Sequence, residues 1–251
     1  MFVHGPEIRA AALELVEQGV NDCEIARRLG LARTTVRDWR RPPYVPSSPK
    51  TSPRTCPRCW RTCVPITATA DDYAELLGLY LGDGHISQMA RAQRLRLFLD
   101  ASYPTIVDEA EQLLRRVFPH NQVCRQTRYG GTMVILFLDH QHLACLLPQH
   151  ALGKKHLRTL ALEPWQSDLV ATSPWRFLRG CIRSDGCVFI NRTGPYEYLS
   201  YDFANLSHDL LEFFASTAER AGLHPRRYAK RVRLYWRDDV RRLTVEVGTK
   251  Q

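Results

Sequence analysis

Leu76-Leu77-Gly78-Leu79-Tyr80-Leu81-Gly82-Asp83-Gly84 and Leu178-Arg179-Gly180-Cys181-Ile182-Arg183-Ser184-Asp185-Gly186 are written on one template. Each has a Leu, a Gly two residues later, a small residue four beyond that Gly, and then Asp-Gly. The two Asp residues stand 102 positions apart, so a structural unit is duplicated. Gly78 and Gly82 share one face of a helix, as do Gly180 and Ser184. Small residues at that spacing let two helix backbones approach closely. If the two helices pack on each other, Asp83 and Asp185 arrive side by side at their C-terminal ends. That placement is costly, because the helix dipole disfavours a carboxylate there and two carboxylates repel. A divalent cation such as Mg²⁺ resolves both costs and brings phosphate chemistry with it. Gly84 and Gly186 are expected to supply a left-handed turn ending each helix.

The duplication continues downstream. Arg94 to Asp100 alternates like a strand, and Asp100-Ala101-Ser102-Tyr103 leads into a helix through Ile106, Ala110, Leu113 and Val117. Leu199 to Phe203 alternates in the second copy, and Asn205-Leu206-Ser207-His208 leads into a helix through Leu210, Leu211, Phe214 and Ala218. Ser102 and Ser207 are read as the two N-caps. A hairpin follows each helix: Val123 to Tyr129, the turn Gly130-Gly131 and Thr132 to Leu138 in the first copy, roughly Pro225 to Trp236 in the second. Each unit reads helix, two strands, helix, two strands, short helix. One Asp-Gly after a Leu/Gly helix would be a plain C-terminal turn; two copies with matching surroundings are not.

These residues resemble the LAGLIDADG homing-endonuclease family in its single-chain, two-repeat form, over about residues 70 to 251. The resemblance implies an α+β fold: a pseudo-twofold pair of αββαββα repeats whose antiparallel sheets form a saddle over double-stranded DNA. It implies Mg²⁺-dependent hydrolysis of both strands, leaving short 3′ overhangs. On this reading Asp83 and Asp185, with Gly82 and Ser184 immediately before them, make up the metal site. Basic residues near the metals support the scissile phosphate in this family. Lys154, Lys155, Lys230 and Arg128 are candidates, with Lys154 and Lys230 put forward as catalytic. Leu147-Pro148 and Gly153 to Arg158 look like the family's repeat-closing segment. The alternative is a regulator that keeps the fold and binds DNA without cutting it. An RNA-splicing cofactor is a weaker third reading, and neither terminus looks like an intein splice junction.

Composition agrees with a nucleic-acid partner. The 251 residues carry a formal net charge of +9. From Arg27 to Arg61 ten Lys/Arg face one acid, Asp38, while the remainder balances. No stretch approaches the ~18 apolar residues of a membrane span, and no signal pattern opens the chain, so a cytoplasmic protein is expected. It is expected to act as a monomer with an internal pseudo-dimer.

The first 41 residues read as three short helices, turned at Gly19 and Gly30, with Asn21 or Asp22 as a cap. Asp22 to Trp39 resembles the helix-turn-helix of resolvases and transposases. Ala26 is small where the helices cross. Arg33, Thr34, Thr35, Arg37, Arg40 and Arg41 are the expected DNA contacts. The competing reading is a three-helix bundle without a DNA role. Residues 42–69 form a Pro-rich basic linker holding Cys56, Cys59 and Cys63, spaced as a zinc knuckle whose fourth ligand (His4, Cys23 or His85) is not evident. The expected division is thus 1–41 helix-turn-helix, 42–69 linker, 70–165 repeat 1 and 173–251 repeat 2.

Overall fold

The structure is a computed structural model and describes residues 6–40, 68–89, 92–151 and 153–250. Two compact units result, Met1–Pro53 and Arg54–Gln251. The cysteine knuckle, most of the linker and Arg41 lie outside the described residues.

In the front unit, α1 (Pro6–Glu17) ends near Gly19, whose φ of 80° suits a residue without Cβ. Asn21 caps α2 (Asp22–Leu29), its Oδ1 accepting from the backbone N–H of Cys23 and Glu24 at 3.1 Å each. Gly30, left-handed at φ 63°, makes the turn to α3 (Arg33–Arg40). Ala12, Ile25, Ala26 and Val36 form a small core. Ala26 is therefore the small residue at the crossing, as expected.

The second unit repeats one plan. Thr69 caps α4 (Ala70–Asp83), which runs into β1 (Gly84–Gln88), β2 (Gln93–Asp100), α5 (Pro104–Val117), β3 (Cys124–Arg128), β4 (Met133–His140) and the short α6 (Leu143–Leu146). A linking helix α7 (Pro164–Thr172) precedes α8 (Pro174–Asp185), β5 (Gly186–Thr193), β6 (Tyr196–Ala204), α9 (His208–Arg220), β7 (Arg226–Tyr228), β8 (Arg231–Leu234) and α10 (Arg237–Glu246). The two antiparallel sheets have the same strand order, β1-β2-β4-β3 and β5-β6-β8-β7. This is the α+β duplicated architecture expected from the motifs. One face of each sheet is apolar and buried: Ile86, Leu95, Leu97, Leu99, Val134, Leu136 and Leu138 in the first, Tyr201, Phe203, Val232 and Leu234 in the second. Leu113 of α5 and Phe214 of α9 join the same continuous core.

The motif helices α4 and α8 pack directly on each other. A Cβ on Gly78 would lie 2.6 Å from the Phe177 carbonyl, and one on Gly180 would fall on the carbonyl of Glu75. Glycine is required here by backbone contact between helices. The contact is also one-sided in charge. Glu75 of α4 is 5% exposed and meets Arg176, Arg179 and Arg183 of α8 at 3.4, 3.2 and 3.3 Å. Glu109 of α5 pairs with Arg179 and Arg183 as well.

Two local expectations are corrected. Gly84 and Gly186 are extended, with φ of −90° and −89°, so no left-handed turn ends the motif helices. Both must be glycine for space, since a Cβ would press on the Tyr80 or Ile182 backbone at 2.6 Å or less. Ser102 is not a cap: Tyr103 is the N-cap of α5 without a side-chain bond, and the Ser102 hydroxyl donates instead to Asp100 at 2.8 Å. Pro104 at the first turn supplies the helical φ in place of the cap. Ser207 does cap α9, accepting from Leu210 N–H.

Candidate active site

Close packing of α4 and α8 carries Asp83 and Asp185 together. A Cβ on Gly82 would meet the Ser184 side chain and lie 2.9 Å from Asp185 Oδ2, so only glycine leaves room for the facing carboxylate. Burial, and next the charge of Asp185, push the Asp83 carboxyl up to about 7. Burial also raises Asp185, partly offset by the amide of Asn205, which donates to its Oδ2 at 2.7 Å. Asn205 lies where β6 gives way to α9, and its own backbone N–H bonds to the Lys230 carbonyl at 3.1 Å.

Two lysines complete the site. Lys155 Nζ donates to the carbonyls of Tyr80, Leu81 and Gly82 at 2.6, 2.9 and 3.1 Å, closing the C-terminal end of α4. Lys250 Nζ does the same for α8, donating to Ser184 and Gly186 carbonyls at 2.8 and 3.2 Å. Ammonium groups at helix C-termini complement the dipole. Burial draws Lys155 down to about 8, while the two aspartates act in the opposite sense.

Each carboxylate opens into its own cavity. One of about 500 Å³ is lined by Asp83, Asp100, Tyr103, Ser184 and Lys250 among others. The other, about 340 Å³, is lined by Gly82, Lys155, His156, Asp185, Asn205 and Leu206. Among the described residues, no group of three or more His, Cys, Asp or Glu forms a complete cage for a metal. Two desolvated carboxylates and nearby helix-end carbonyls are a hard-oxygen donor set that suits Mg²⁺. That ion usually keeps waters and takes further oxygens from phosphates.

Of the residues expected from sequence, the fold brings Asp83, Gly82, Asp185 and Ser184 together. Lys154 and Lys230 have exposed side chains, and so does Arg128. The ammonium groups that reach the acids belong to Lys155 and Lys250. Lys250, Asn205 and Asp100 were not singled out. A signal for Lys250 exists: Gly153-Lys154-Lys155 and Gly248-Thr249-Lys250 share a Gly-x-Lys pattern, and both glycines have positive φ, 85° and 82°. In the front unit Arg33, Thr34 and Arg37 are exposed on α3, and Thr35 is half-buried. Arg40 is exposed too but paired with Asp22 at 3.0 Å.

The open sheet faces differ from the buried ones. In the first sheet Arg94 stacks on Phe137 at 4.8 Å and pairs with Asp139. In the second Arg233 stacks on Phe189 and Tyr228 at 5.2 and 5.9 Å and pairs with Asp202. Arg96 and Arg128 lie in the first sheet with Arg94, and Arg226 and Arg231 in the second with Arg233. No helix among the described residues is long and apolar enough to cross a membrane.

Comparison with known proteins gives domain matches on both units. Residues 6–41 match a homeodomain-like domain model and residues 174–248 a LAGLIDADG-like domain model. No curated protein matches the chain by sequence. Among solved structures, the N-terminal LAGLIDADG domain of DUF199/WhiA is 13% identical, with 75% of this chain and 86% of that one covered and a TM-score of 0.48. I-DmoI in complex with DNA and Mn is 15% identical over 72% of this chain and 98% of that one, TM-score 0.48. The homing endonuclease I-WcaI bound to its DNA recognition sequence is 17% identical, covering 72% and 82%, TM-score 0.46. The chain thus carries a LAGLIDADG-like domain, built into a duplicated α+β unit, behind a homeodomain-like front domain.

Proposed function

We propose that this protein binds double-stranded DNA and hydrolyses its backbone with the help of a divalent cation such as Mg²⁺. The observation that carries the reading is the pair of motif-end carboxylates, Asp83 and Asp185, delivered to one place by helices in backbone contact. Buried carboxylates are costly, and a bound cation would relieve that cost. Asp83 and Asp185 would hold the ion, with the carbonyls of Gly82 and Ser184 within reach. When bound, the ion would act as a Lewis acid on the phosphoryl group. Asn205 orients Asp185, and Lys155 and Lys250 place positive charge beside the two acids. The arginine-bearing sheet faces and α3 supply phosphate and base contacts.

One observation favours a second reading, in which the chain binds DNA without cutting it. Lys155 and Lys250 already place cationic charge beside the acids, so the pair can persist without a metal.

The test is incubation of a randomised duplex library with Mg²⁺, with Ca²⁺ and Asp83→Asn as controls, followed by sequencing of the ends. Discrete ends seen only with Mg²⁺ and intact Asp83 are expected. Enrichment of particular duplexes by binding, without any cut, would overturn cleavage and favour the second reading.

A further inference from the structure

We propose that the carbonyl cradles at the ends of α4 and α8 are cation sites held in the free protein by Lys155 and Lys250, which must leave before a divalent ion can enter. The inference rests on the metal-dependent reading above and adds the order of events.

Three features of the geometry support it. The Lys155 ammonium is bound by three carbonyl oxygens at 2.6–3.1 Å, the coordination an oxygen-loving cation would use. Two of the oxygens taken, Gly82 O by Lys155 and Ser184 O by Lys250, belong to the residues directly before the two acids. Finally, each lysine lines the cavity of the other repeat's aspartate: Lys155 shares one with Asp185, and Lys250 shares one with Asp83. A divalent ion placed at either carboxylate would meet an ammonium already there, and like charges at such range repel strongly in a desolvated site. A DNA backbone laid across the cavities gives the ammonium groups a phosphate to move to. The swing would free the carbonyls and turn each lysine into a phosphate contact. The cleft would then take its metal well only when DNA is present.

The two cradles are unequal. Lys155 holds three carbonyls, whereas Lys250 holds two. Lys250→Met is therefore the milder change, and it should act on the Asp83 side.

Mn²⁺ binding to the full chain, followed by the loss of the free-ion electron paramagnetic resonance signal, tests the idea without any cleavage. The DNA-free protein should bind Mn²⁺ weakly, and Lys155→Met with Lys250→Met should bind about tenfold more tightly. Duplex DNA should raise the affinity of the unaltered chain more than that of the double variant. If Lys155→Met does not fold, Lys250→Met alone should still tighten binding. Unchanged or weaker binding in lysine variants, while Asp83→Asn abolishes it, would overturn the placeholder role and leave the metal reading standing. No Mn²⁺ binding by any form, with or without DNA, would remove both.

Discussion

The two repeats share an axis and differ at their edges. Both bring a small-residue helix face, a terminal aspartate and a lysine-capped helix end to one place. Around that centre they part. The first repeat has a short β1 and a long inner strand β4, whereas the second has long β5 and β6 and a clipped second hairpin of three and four residues. The open face of the first sheet carries Phe98, Ile135, Phe137 and Met133 between its arginines; that of the second carries Arg226, Tyr228, Arg231 and Arg233 around Asp202. Asp100 stands where the second repeat has Asn205. The lesson is that backbone contact and charge at the axis constrain both copies alike, while surfaces facing a partner are free to diverge.

The axis should be the most fragile part. Gly180→Val places a side chain on the Glu75 carbonyl, with only backbone to yield, and should cost at least about 3 kcal/mol. Circular dichroism melting would show this, and a melting temperature near that of the unaltered chain would mean that the helices are not in close contact.

The two acids should respond differently to removal of their charge. Asp83 is raised in the folded state from 3.8 to about 7, so the folded chain holds a proton that the unfolded chain has released. This group's contribution to stability is therefore present below about pH 4 and is lost as the pH rises toward 7. Asp83→Asn should be more stable than the unaltered protein by roughly 4 kcal/mol above pH 7, with the difference fading toward pH 4. Asp185→Asn should gain less, because Asn205 already stabilises the ionised form. Melting curves from pH 4 to 8 in the presence of a chelator would show equal gains if the two sites are equivalent.

The stacked arginines give a third contrast. Asp202 is 5% exposed, so Arg233→Ala leaves a buried carboxylate without its main partner and should cost about 2–3 kcal/mol. Asp139 is open to solvent, so Arg94→Ala should cost under about 1 kcal/mol. Urea unfolding would separate them, and equal losses would mean that the second sheet's network is no more committed than the first. The smallest effect is at the cap positions: Ser207→Ala should cost about 0.5–1 kcal/mol and Ser102→Ala less, by the same measurement.

Much of this was legible because backbone contact leaves a mark in sequence. Gly78, Gly82, Gly180 and Ser184 can be read as a pairing face, and the acids follow from their position at its end. Strand alternation at Arg94–Asp100 and Leu199–Phe203 gave the sheets. Less was legible where a side chain acts across a long loop. Lys155 and Lys250 reach helix ends more than sixty residues earlier in the chain, and nothing at the helix ends announces them. Neighbouring Lys154 and Lys155 are equivalent in composition and differ only in which way the backbone turns them. Gly84 and Gly186 were misread for a related reason: a glycine needed for space looks the same in sequence as one needed for positive φ.

Glu75 and Glu109 belong to one repeat, Arg176, Arg179 and Arg183 to the other, so each half recognises its opposite and not itself. Symmetric proteins read symmetric operators because one surface is presented twice. Here the halves are not interchangeable, and on the proposed function a duplex that fits them need not carry the same sequence in both halves.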